Sequence, residues 1–171
     1  MARWLVLTGY MGAGKTSVGR RVANRLDRAF SDADRVIEEQ AGMPIPEIFS
    51  RRGELWFRRT EERVIRDLLA GDAGVLALGG GAVESARTRD LLRRTADVVW
   101  LRASPGVAWA RVKDSDRPLA TDEARFARRL AAREPNYREA ADLAVDADGP
   151  VDAIAARVAA WAAREAAEVG R

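Results

Sequence analysis

The chain has 171 residues, 47% hydrophobic and 32% charged, with a net charge of +3. That length and balance suit one globular domain with its own core. With neither Cys nor His, disulfides, thiolate metal sites and imidazole catalysis are excluded, so a general base has to be Asp, Glu, Lys or Tyr.

No apolar run is long enough for a transmembrane helix. The short apolar stretch at the N-terminus runs straight into glycines, as a core strand does and a signal peptide does not. A cytoplasmic protein without membrane contact is expected. A pI of about 9.9 raises nucleic acid as a partner, but bases and acids interleave without a long basic tract or stacking aromatics. Small anionic substrates account for the excess equally well.

Residues 3–8 (RWLVLT) predict a buried strand. Residues 15–26 predict a helix with Val18, Val22 and Leu26 near helical spacing. A short strand over 29–31 ends in SDAD, and a helix follows over 34–40 until Gly42. Helices over 44–52 and 54–69 are punctuated by Gly53. A strand over 75–78 (VLAL) runs into Gly79, Gly80 and Gly81. A helix over 84–94 precedes a strand over 97–101, and Ser104-Pro105 opens a helix reaching Lys113. Residues 114–122 are polar and irregular. A helix over 123–133, a last strand over 142–145 and a C-terminal helix with Val151, Ile154, Val158 and Trp161 on one face complete the chain. Strands alternating with helices predict an α/β fold with a mainly parallel sheet of five strands. Residues 34–69 and the 114–122 loop interrupt the alternation, as insertions that cover a site do.

GYMGAGKT, residues 9–16, matches G-x-x-x-x-G-K-[ST] between a strand and a helix, the context that this phosphate loop requires. Glycines let successive N–H groups converge on phosphate oxygens, and the helix N-terminus adds positive partial charge. Gly12, Ala13, Gly14, Lys15, Thr16 and Ser17 are the expected ATP-binding residues. Lys15 is one of only two lysines; it can reach the β- and γ-phosphates, and the Thr16 hydroxyl can ligate Mg²⁺. Many phosphate-loop proteins carry a magnesium-linked Asp at the end of a later strand, but VLAL ends in glycines. The acids stand earlier, in SDAD, which points away from a GTPase or motor ATPase and towards a small-molecule kinase. Of Asp32 and Asp34, one can serve the metal and the other a substrate hydroxyl; alternatively, Asp34 caps the helix that follows.

In GELWFRRTE, residues 53–61, Glu54, Arg58 and Glu61 share a helical face, which on spacing alone reads as a solvated ion-pair ladder. Three glycines at the end of a strand suit close approach of a ligand to backbone N–H groups. Arg117, in RPL, is placed to swing onto a transferring phosphoryl group. Arg133, before a Pro, reads either as a ligand-binding residue or as charge complementing a helix C-terminus.

Taken in order, GYMGAGKT, SDADRVIEE, GELWFRRTE, LGGGAV, RPL and REPNY resemble the shikimate kinase family over about residues 3–150. The resemblance implies a P-loop kinase fold like that of nucleoside monophosphate kinases, in a single domain over 1–171 with an acceptor-binding region about 32–61 and a lid about 112–124. It implies ATP-dependent phosphorylation of the 3-hydroxyl of shikimate, by a monomer. Arg58 and Arg133 would clamp the carboxylate, and Asp34 with Gly79, Gly80 and Gly81 would bind the hydroxyls. Phe49 and Phe57 would wall the pocket. Asp34 would be the base, Lys15 and Arg117 would stabilise the transferring group, and Asp32 would reach Mg²⁺ through water beside Thr16. VDADGP, residues 145–150, resembles the loop that packs on adenine, and Arg111 is a candidate to stack on that base. The lid departs from the usual RPLL by carrying Ala120. A gluconate-type kinase and a silent nucleotide-binding regulator are the rival readings.

Overall fold

The computed structural model describes residues 3–113 and 122–169. Five parallel strands form one sheet in the order β2-β3-β1-β4-β5: β1 (Trp4–Thr8), β2 (Phe30–Asp32), β3 (Val75–Ala77), β4 (Ala96–Arg102) and β5 (Leu143–Asp146). The registers pair Val6 with Leu76 on one side and with Val98 on the other. Every residue of β1 is buried, which is why RWLVLT reads as a continuous apolar run rather than an alternating one.

Each parallel pair needs a crossover, and helices supply it. α1 (Lys15–Leu26) buries Val18, Gly19, Val22 and Ala23 and packs on α8 (Val151–Val169). α5 (Ala86–Thr95) packs on α7 (Glu123–Ala140), which also meets α6 (Pro105–Val112). The main core runs from the sheet into these helices, through Leu5, Leu7, Leu76, Leu101, Phe126 and Val158.

The remaining helices, α2 (Ala33–Ala41), α3 (Ile45–Arg52) and α4 (Glu54–Leu69), connect β2 to β3. They gather a small core of their own around Ile37, Ile48, Phe57 and Val64. The expected helix ending at Arg133 instead continues to Ala140 with Pro135 inside it. Arg133 and Tyr137, one turn apart on its buried face, grip the body of the protein on both sides of the proline. The expected helix from Glu84 is split into a 3-10 turn, Ala82–Glu84, and α5, because Ser85 caps α5 by accepting from the Thr88 N–H.

The strand order reverses direction at β1, with β3 on one side and β4 on the other. A crevice opens at such a switch point, beyond the carboxyl ends of the strands. The loop after β1 and the glycines after β3 both lie there.

Candidate active site

The loop after β1 depends on three glycines with positive φ, Gly9 at 145°, Gly12 at 82° and Gly14 at 87°. A Cβ on Gly9 or Gly12 would stand 2.5 Å from the carbonyl oxygen of Leu101 or Ala108, so the turn admits no side chain there. Gly14 is the N-cap of α1 and no described side chain caps that helix, which leaves its first N–H groups and its positive end available to an anion. Lys15 Nζ donates to the carbonyls of Gly9 at 2.7 Å and Tyr10 at 3.1 Å.

Thr16 Oγ1 donates to Asp32 Oδ2 at 2.6 Å. The other Asp32 oxygen accepts from the N–H groups of Asp34 and Arg35 at 3.1 and 3.4 Å. The cap of α2 is therefore Asp32 and not Asp34, contrary to the alternative raised from sequence; β2 ends at Asp32, so Asp34 already lies in the first turn. A cavity of about 350 Å3 is bordered by Gly12, Gly14, Lys15, Thr16, Ser17 and Asp32, with Asp34, Gly80 and Arg111 also on its wall. Ala13 is buried beneath. No cluster of three or more acidic side chains suited to a metal exists among the described residues. One hydroxyl beside one carboxylate is a donor set that fits Mg²⁺, which keeps waters and takes its other oxygens from phosphate.

A second cavity, of about 570 Å3, brings together Asp34, Phe49, Phe57, Arg58, Gly79, Gly80, Gly81 and Arg133. These residues come from α2, α3, α4, the loop after β3, and α7. The rings of Phe49 and Phe57 lie 4.7 Å apart between centroids, tilted by 39°. Thr16, Asp32, Asp34 and Gly80 border both cavities, so Asp34 stands where the two meet.

The Glu54–Arg58–Glu61 face is no solvated ladder. Arg58 Nη1 donates to Glu61 Oε2 at 2.7 Å, while Glu54 stands 3.6 Å from Nη2. Glu61 is 3% exposed. Burial pushes its carboxyl up to about 7; Arg58 pulls the other way, and the nearby Asp34 charge adds to the rise. None of the three glycines at 79–81 has positive φ; two of them serve close approach. A Cβ on Gly79 would lie 2.6 Å from Asp34 Oδ1 and 2.7 Å from Glu61 Oε1, and one on Gly81 would lie 2.6 Å from Arg58 Nη1. The backbone after β3 is thus pressed against the side chains of the pocket.

Arg133 is 9% exposed and lies inside α7, not at its end, which removes the C-terminal charge reading. Its guanidinium stands over the Tyr10 ring at 5.3 Å. It donates from Nε and Nη2 to the two oxygens of Glu84 at 2.7 and 3.2 Å. Tyr137 donates to the Gly80 carbonyl and stacks on Trp100. Arg111 donates to the carbonyls of Gly12 and Ala147 at 3.0 and 3.1 Å, joining the phosphate loop to the segment after β5.

Apart from Ala13, buried beneath, the described residues expected to bind ATP, metal or acceptor border two adjoining cavities. Arg117 and the 114–121 core of the expected lid lie outside the described residues. Sequence reasoning missed Tyr10, Glu84 and Tyr137. Tyr137 could have been found from its spacing to Arg133, one helical turn on, had Pro135 not been read as a stop. Glu84 carries no local signal.

Known proteins resemble this chain in sequence and in overall shape. The sequence model of the Shikimate kinase family matches residues 11–163. A shikimate kinase of Burkholderia lata is 47% identical over 146 residues, covering 83% of this chain and 79% of that one. Among solved structures, a shikimate kinase from Acinetobacter baumannii in complex with shikimate superposes with a TM-score of 0.91 at 35% identity, covering 96% of this chain and 95% of that one. A gluconokinase from Sinorhizobium meliloti reaches a TM-score of 0.62 at 20% identity over 98% and 95% of the two chains, a likeness of fold alone. By its ordered motifs, its sheet and these relatives, the chain belongs to the shikimate kinase family.

Proposed function

We infer that this protein transfers the γ-phosphoryl group of ATP to the 3-hydroxyl of shikimate, giving shikimate 3-phosphate and ADP. The position of Asp34 carries the reading: it borders both cavities, between a phosphate loop and a pair of arginines. A hydroxylated carboxylic acid fits that polarity. Arg58 and Arg133, both on the pocket wall, take its carboxylate. Phe49 and Phe57 flank its ring, and Asp34 with the backbone of Gly79, Gly80 and Gly81 receives the hydroxyls. The relative from Acinetobacter baumannii, crystallised with shikimate, supports this choice of acceptor.

The 3-hydroxyl oxygen forms a bond to the γ-phosphorus as the bond from that phosphorus to the bridging oxygen of ADP breaks. Asp34 accepts the hydroxyl proton, the role left to a carboxylate in a chain without His. Lys15, the N–H groups of residues 12–17 and Arg117 of the lid stabilise charge on the transferring group, so positioning and electrostatics carry most of the rate. Thr16 and Asp32 would hold Mg²⁺, which neutralises phosphate charge when bound. Residues 32–61 form the acceptor-binding region of a single domain, consistent with the separate small core of α2, α3 and α4. Closure of residues 112–124 excludes water from ATP.

No described helix is long and apolar enough to cross a membrane, and we take the protein to act as a cytoplasmic monomer on ATP and shikimate. The deciding experiment is ADP release with MgATP from the wild type and from Asp34→Asn, with shikimate, gluconate or no acceptor. We expect release with shikimate alone, and a drop of roughly 10²–10⁴-fold in kcat for Asp34→Asn with ATP binding retained. Release with gluconate instead would overturn the acceptor. No release with either, while ATP binds, would indicate a silent nucleotide-binding regulator.

A further inference from the structure

Two cations and three carboxylates meet at the acceptor cavity, whose wall includes Arg58, Glu61 and Arg133. Arg58 faces Glu61 at 2.7 Å, Glu54 at 3.6 Å and Glu84 at 4.0 Å. Arg133 offers Nε and Nη2 to both oxygens of Glu84 at 2.7 and 3.2 Å. That two-point contact is the geometry in which a guanidinium recognises a carboxylate. The site expected to bind a substrate carboxylate therefore already holds one of its own.

The partners differ in exposure. The side chain of Arg133 is 10% exposed and that of Glu84 40%. Arg133 is fixed from two other directions, by its helix and by the Tyr10 ring under its guanidinium. Glu84 ends a single 3-10 turn and has solvent to swing into. Arg133 does not need Glu84 to keep its place, and Glu84 can leave without opening the core.

We propose that Glu84 is a built-in competitor for the carboxylate site: its carboxylate occupies the Arg133 fork and moves out to solvent before the substrate takes those donors. The proposal rests on the acceptor reading above. The substrate then binds only to the fraction of molecules in which the fork is open, so apparent affinity falls by that fraction. Glu84 thereby sets the working KM and favours acceptors whose carboxylate pairs strongly enough to displace it.

The test is steady-state kinetics of the wild type, Glu84→Gln and Glu84→Ala, varying shikimate at saturating MgATP and then ATP at saturating shikimate, with thermal melting of each variant. The shikimate KM is expected to fall roughly three- to tenfold in both variants, with the gain in KM rather than kcat and the ATP KM unmoved. If Glu84 merely orients Arg133, the shikimate KM rises in Glu84→Ala and is rescued in Glu84→Gln; that result overturns the proposal. So does an unchanged shikimate KM, or an equal shift for ATP. Wild type that releases no ADP with shikimate would bring down the acceptor reading itself, before either variant is compared.

Discussion

Glu61 carries a buried carboxyl held between an arginine and an aspartate. One oxygen accepts from Arg58; the other, Oε1, is buried with no hydrogen-bond partner among the described residues and faces Gly79. An ionised carboxylate in that setting loses hydration that Arg58 only partly replaces, and the carboxyl is pushed up to about 7. Between its ordinary value near 4.5 and about 7, the folded protein keeps a proton that the unfolded chain has released. Stability therefore falls as pH rises through that window, and the loss is complete above it, at about 3 kcal/mol. Glu61→Gln has the same shape, still accepts from Arg58 and does not titrate. Urea unfolding at pH 5 and pH 8 should show most of that loss in the wild type and none of it in the variant; parallel pH dependences would remove the buried proton from Glu61. The i, i+3 spacing of Arg58 and Glu61 is visible in the sequence, but burial is not. What seals Glu61 is a backbone segment arriving from β3, and nothing local to α4 announces it.

At the scale of elements, the sheet and most helices were legible because apolar periodicity and glycine punctuation agree there. β1 and α4 were read to within a residue of their ends. The failures came where a tertiary contact outweighs a local rule. Pro135 ought to stop α7, yet the tie from Tyr137 to Gly80, the stacking on Trp100 and the seat of Arg133 over Tyr10 hold both halves in one helix. The glycines after β3 were read as a place for a ligand, and the structure adds a second reason: carboxylates and a guanidinium lie where their Cβ atoms would be. This distinguishes the three positions. A Cβ on Gly80 meets nothing nearer than 3.4 Å, whereas on Gly79 it meets Asp34 and Glu61 within 2.7 Å. Gly79→Ala should push both carboxylates aside, at about 1–3 kcal/mol, and raise the shikimate KM tenfold or more while ATP still binds. A variant with wild-type shikimate KM would show that the pocket can yield there without harm.

The whole molecule places two cavities on the two sides of one carboxylate, Asp34, and the sheet makes this possible. Because β1 lies at the centre with β3 and β4 beside it, the loop after β1 faces the glycines after β3 on one side and α6 on the other. The strand order was not legible in the sequence, where alternation gave five parallel strands but not which of them are neighbours. The nucleotide side is tied together by Arg111, whose guanidinium reaches from α6 to the Gly12 carbonyl of the phosphate loop and the Ala147 carbonyl after β5. These contacts cross 99 and 36 residues of sequence and leave α2, α3 and α4 untouched. Arg111→Ala frees the phosphate loop from the segment that resembles an adenine-binding loop. Losing one or two partly exposed hydrogen bonds of about 1 kcal/mol each should raise the ATP KM five- to tenfold. The acceptor cavity shares Thr16, Asp32, Asp34 and Gly80 with the nucleotide cavity but does not include Arg111, and should keep its shikimate KM within about twofold. Initial rates with each substrate varied in turn read both constants. An equal rise in both would mean that the two cavities move as one body, and that the division of labour across Asp34 is not carried by separate parts of the fold.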